Sequence, residues 1–142
     1  MKFMVCYNGS ESSKKALQLA KDRASVFGAK VVLVTSMVRG TENQYQQIMD
    51  FERYLEIEKS NCELEGISVE THLLIRGLPA GEDLVEFAME NDIDEIFIGV
   101  KRHTRIGELF FGSTEQYVVQ KAHCPVVTVN HLLEENKILK AA

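Results

Sequence analysis

Two rhythms alternate along this chain: short continuous apolar runs, and longer stretches with apolar residues at helical spacing. Residues 3–7 (FMVCY) form the first strand candidate, which breaks at the turn pair Asn8-Gly9. Ser10 stands ready to cap a helix whose buried face is Ala16, Leu17, Ala20, Ala24 and Phe27, and Gly28 sits where a C-terminal glycine belongs. Residues 31–34 read as a fully buried strand. Gly40-Thr41 breaks the chain, and a long polar helix follows to about Glu65 with Tyr45, Ile48, Phe51, Leu55 and Cys62 on one side. Residues 68–75 give a third strand, less uniformly apolar and so nearer an edge. Pro79 suits the first turn of the next helix, with Leu84, Val85 and Ala88 inward and Asn91-Asp92 at its end. The fourth strand is 96–98. Ser113 and Gln116 have capping-box spacing for a last main helix carrying Tyr117, Val118 and Ala122. Pro125 cannot continue that helix and lacks the N–H of a central strand, so 126–129 is expected at a sheet edge. Residues 131–142 read as a short terminal helix.

Strands that alternate with helices imply a parallel sheet covered on both faces, here as one domain over residues 1–142. In such a sheet ligands bind beyond the carboxyl ends of the strands, where the winding reverses. Two loops suit that place chemically: Asn8-Gly9-Ser10, and the stretch 99–113 after the fourth strand. The second begins at Gly99, carries Lys101, Arg102, His103 and Arg105, and ends at Gly112-Ser113-Thr114. A helix start offers unpaired N–H groups and a partial positive charge, and glycines let a phosphate approach the backbone. If strands one and four are neighbours, both loops face one crevice.

Charge and composition narrow the partners. The net charge is −5, which disfavours nucleic acid held by bulk charge, and sets the basic cluster apart. Three cysteines, Cys6, Cys62 and Cys124, without metal-ligand spacing argue against a disulfide framework or a zinc site. Residues 1–5 are too short for the apolar core of a signal peptide, and no run nears the ~20 apolar residues of a membrane span. A cytoplasmic protein without membrane or nucleic-acid partners is expected. Neither a Walker A motif nor a dinucleotide fingerprint is present.

Residues 99–129 resemble the C-terminal signature of the universal stress protein family: Gly, two residues, Gly, nine residues, Gly, then Ser or Thr. Gly99 fits the first position, Arg102 stands at the second, and Gly112-Ser113 fit the end. AHCPVVTV is similar to the family's closing helix-to-strand turn. VCYNGSESSKKAL resembles its opening strand and helix, with Asn8 in place of the usual aspartate. RGLPAGEDLVEFAMENDIDEIFIG resembles the segment leading into its fourth strand.

That resemblance implies a three-layer α/β/α, doubly wound Rossmann-like fold of the adenine nucleotide alpha hydrolase-like kind. Its five parallel strands would run in the order 3-2-1-4-5. It implies ATP or a related adenine nucleotide, with Mg²⁺, held by Tyr7, Asn8, Ser10 and Ser36 near the ends of strands one and two. Gly99, Lys101, Arg102, Gly112, Ser113 and Thr114 would take the phosphates. It also implies a homodimer through strand five and a regulatory role with a protein partner. An alternative is a dimeric stress-response interaction protein with a degenerate site. A third reading is a slow ATPase or phosphotransferase using His103 as base or phosphoryl acceptor.

Overall fold

The computed structural model of the chain describes residues 1–38, 44–102 and 109–130. Its elements are β1 (Lys2–Cys6), α1 (Glu11–Phe27), β2 (Lys30–Ser36), α2 (Gln44–Leu64), β3 (Val69–Leu74), α3 (Ala80–Glu90), β4 (Glu95–Arg102), β5 (Leu109–Phe110), α4 (Ser113–Lys121) and β6 (Val126–Asn130). Five strands pair in parallel in the order β3-β2-β1-β4-β6, the order expected. Strands one and four are indeed neighbours, with Val5 opposite Phe97.

Alternation along each strand splits the core in two. Phe3, Val5, Val31, Leu33 and Phe97 face one way, against Ala16, Leu17, Ala20 and Ala24 of α1 and Leu55 and Cys62 of α2. Met4, Cys6, Val32, Val34, Ile96 and Ile98 face the other way, against Leu84, Val85 and Ala88 of α3 and Val118 of α4. The central strands are apolar on both sides because both sides are covered. β6 is only partly buried, and so is β3 apart from Leu74.

Local chemistry sets the element ends. Ser10 accepts a hydrogen bond from the Ser13 N–H at 3.2 Å and caps α1, while Gly28 closes that helix at φ 67°. The last main helix is capped differently from the expected box: Gly112 is its N-cap, Ser113 is its first residue, and no side chain caps it. α2 is less amphipathic than read. Its Tyr45 is 80% exposed, and among its residues only Leu55 and Cys62 are fully buried.

The stretch 99–113 is the main correction. β4 does not stop at Ile98 but runs on to Arg102, and its end pairs antiparallel with β5, Lys101 opposite Phe110. Gly99 is therefore inside a strand. A Cβ there would lie 2.4 Å from the Ser12 carbonyl carbon and 2.6 Å from its oxygen. Glycine is needed at this point because α1 rests on β4 without an intervening side chain. The expected break at Gly40-Thr41, the loop residues His103 and Arg105, and the terminal helix at 131–142 lie outside the described residues.

The clash at Gly99 is with backbone, which cannot swing aside. Gly99→Ala should cost about 1–3 kcal/mol of stability. A Cβ on Gly112 would meet only the end of the Glu115 side chain, so Gly112→Ala should cost far less. Urea unfolding of both variants checks this; equal midpoints would contradict the strand–helix contact.

Candidate functional site

The carboxyl ends of β1 and β4 open onto a cavity of about 330 Å³, within the range of small-molecule sites. Its wall is built from the first turns of three helices. Ser10, Ser12 and Ser13 come from the start of α1, Ala80 from α3, and Gly112, Thr114 and Glu115 from α4. Val34, Leu84, Ile98 and Phe51 supply apolar surface, and Lys101 a positive charge. Helix starts carry unpaired N–H groups and partial positive charge, so three of them at one cavity favour an anion.

The β1 end is held rigidly. The Tyr7 N–H donates to the Val34 carbonyl at 2.8 Å, and Thr35 Oγ1 donates to the Tyr7 carbonyl at 2.6 Å. Asn8 then folds over its own loop, its Oδ1 accepting from the Ser10 N–H at 3.0 Å. Gly9, at φ 81°, makes the turn, and the Tyr54 ring packs where a Cβ would point, 3.5 Å away. Tyr54 in turn lies edge-on to Phe51, ring centroids 6.3 Å apart. An aromatic pair from α2 thus flanks the mouth beside Asn8-Gly9.

Of the residues expected at the site, Tyr7, Asn8, Ser10, Ser36, Gly99, Lys101, Gly112 and Thr114 line this one cavity. Ser113 is exposed and is not in its wall. Arg102 is placed by its backbone at the end of β4. His103, the candidate for phosphoryl chemistry, lies outside the described residues. Tyr7 turns its ring into the core toward α2, where its hydroxyl donates to Glu58 at 3.3 Å. Burial, and then the Glu58 carboxylate, push that phenol above its usual pKa.

Sequence reasoning missed several wall residues. Ser12 and Ser13 carried a signal, a serine run in the first turn of a helix beside the turn pair. Phe51 was read only as a helix face. Glu115 was hidden by the capping-box reading. Asp83, outside the wall itself, is fully buried and holds the wall residue Ser36. Its Oδ1 accepts from Arg76 Nε at 2.6 Å and its Oδ2 from the Ser36 hydroxyl at 2.8 Å. Burial opposes the Arg76 charge, but the Asp83 hydrogen bond and charge, with Glu90, outweigh it and raise the guanidinium pKa. Ser36 therefore spends its proton on Asp83 and keeps its lone pairs for the cavity.

The fold has counterparts among known proteins. A family model described as the universal stress protein family matches residues 1–130. This chain belongs to the universal stress protein family. A universal stress protein of Methanocaldococcus jannaschii is 32% identical over 126 residues, covering 84% of this chain and 73% of that protein. The solved universal stress protein of Archaeoglobus fulgidus is 30% identical, with TM-score 0.79 over 90% of this chain and 96% of that one. The Archaeoglobus fulgidus protein solved in complex with dAMP has TM-score 0.72 at 30% identity, over 90% of this chain and 95% of that one.

In this universal stress protein Cys6 lies on the cavity wall but is nearly closed to solvent. Burial first, then the charge of Glu115, push its thiol up to about 12. A raised thiol pKa means the protonated, unreactive form holds at every pH below that value. Cys6 should resist iodoacetamide in the native protein at pH 8, read by mass spectrometry of its peptide. Rapid labelling before unfolding would contradict this account. Removing the buried carboxylate by Asp83→Ala should cost about 2–3 kcal/mol in chemical denaturation. That is less than splitting a fully closed pair, because the Arg76 side chain is 34% exposed and rehydrates. A loss under about 0.5 kcal/mol would show the network to be idle.

Proposed function

We propose that this universal stress protein is a regulatory module that binds an adenine nucleotide in the cavity at the carboxyl ends of β1 and β4. The observation that carries the reading is the junction of three helix starts and Lys101 with an apolar, aromatic-flanked wall. The dAMP complex of the 30% identical Archaeoglobus fulgidus protein supports it. The phosphate belongs at the start of α4, where Gly112 has no side chain and Thr114 and Lys101 stand alongside. Arg102 is the next residue of β4. The base belongs beside Val34, Ser36 and Phe51, where an aromatic ring offers stacking surface. Asn8 faces the sugar with an amide, which hydrogen-bonds hydroxyls but attracts Mg²⁺ less than a carboxylate. ATP with Mg²⁺ falls within the same ligand class.

A cytoplasmic homodimer completes the reading. β6 is the outer strand beside β4 among the described residues, and all of its residues are partly exposed. An apolar edge of this kind is covered most simply by a two-fold copy.

Two variants test the site by calorimetry with AMP and ATP. Gly112 has an ordinary φ of −68°, so Gly112→Val should fold, yet its side chain fills the anion's approach. Binding should weaken by roughly tenfold or more, the loss of about one charge-assisted hydrogen bond. Phe51→Ala should cost about 1–3 kcal/mol of binding through lost stacking. Unchanged affinity in both folded variants would remove the assignment.

A further inference from the structure

Among the described residues Glu115 is the one acidic residue in the cavity wall, and it sits at the start of α4, where the phosphate is proposed to bind. It is the third residue of α4 and the acidic residue of that helix's first turn. Its carboxylate curls back over the N-cap: Oε2 lies 2.5 Å from the point a Cβ on Gly112 would occupy. It is half-buried and makes no ion pair or hydrogen bond among the described residues. Glu115 and Cys6 line the same cavity, and after burial the Glu115 charge is the next cause of the raised Cys6 thiol pKa. Among the described residues the charged side chains of the wall are thus one cation, Lys101, and one anion, Glu115.

A carboxylate favours the positive end of its own helix, which is the same attraction a phosphate uses. A ligand phosphate must therefore share that end with Glu115 or displace it. One phosphate still finds the three helix starts and Lys101. Each further phosphate adds negative charge within reach of the Glu115 carboxylate, and like charges at such distances repel. We propose that Glu115 sets the phosphate count of the site, making it select nucleoside monophosphates over di- and triphosphates. This rests on the adenine-nucleotide reading above and specifies its ligand.

The experiment is calorimetric titration of Mg²⁺-free AMP, ADP and ATP into the wild-type protein and Glu115→Gln at low salt. Glutamine keeps the size of the side chain and its reach over Gly112 while removing the charge. Glu115→Ser serves as a second variant, removing the charge together with the reach; circular dichroism checks the fold of both. The wild type should bind AMP more tightly than ATP. Both variants should raise ATP affinity roughly fivefold to tenfold and AMP affinity by roughly twofold or less. The gap between the nucleotides should narrow in roughly 0.5 M salt, because exposed charges are screened. A merely structural role for Glu115 would shift all three nucleotides alike and would not depend on salt. An unchanged ATP-to-AMP affinity ratio in the folded variants, or a wild type that prefers ATP, overturns the role of Glu115 and leaves the nucleotide site standing. Failure of every nucleotide to bind either protein overturns both.

Discussion

The direct seating of α1 on β4 is the contact on which the rest of this molecule depends. At Gly99 the strand presents no side chain, and the Ser12 backbone fills the space. Any larger residue would lift the start of α1 away from the sheet. That start carries Ser10, Ser12 and Ser13, and the loop before it carries Asn8 and Gly9. Their closeness to Lys101, two residues further along β4, follows from the contact. The crevice between β1 and β4 is thus shaped by packing before any ligand chemistry enters.

Polar groups around the crevice are then divided between holding the wall and facing the cavity. Thr35 and Val34 fix the Tyr7 backbone, Asp83 accepts a hydrogen bond from the Ser36 hydroxyl, and Ser10 caps α1. The start of α4 is different, because no side chain caps it. The Glu115 carboxylate, on a first-turn residue of the same helix, lies over it. A rigid wall on the β1 side and an uncapped helix start on the β4 side suit a ligand with an apolar ring at one end and an anion at the other. The chain's universal stress protein membership agrees with that division without supplying its details.

Much of the fold could be read from periodicity. The runs 3–7, 31–34 and 96–98 are apolar on both alternations, and only strands covered on both faces need that pattern. Ser10, Gly28 and Pro125 then punctuated the chain through local backbone chemistry. Periodicity failed where long-range contacts decided the outcome. Gly99 looked like the start of a phosphate loop, because a glycine before basic residues carries the same signature whether it frees a backbone or admits a helix. Asp83 carried no visible signal, because nothing local reveals that Arg76 and Ser36 converge on it. Most expected site residues share one cavity since they cluster at strand ends, a property of topology. Phe51 and Glu115 escaped notice because helical spacing also explained them as a packing face and an exposed turn.

The central claim is that an adenine nucleotide occupies the crevice between β1 and β4. The most direct measurement is a titration of AMP into isotope-labelled protein, following each backbone amide by NMR. The account predicts saturable shifts concentrated at Asn8 to Ser13, Lys101 and Gly112 to Glu115, with the amides of β3 unmoved. Saturable shifts confined to another face, or none at millimolar AMP, would contradict it.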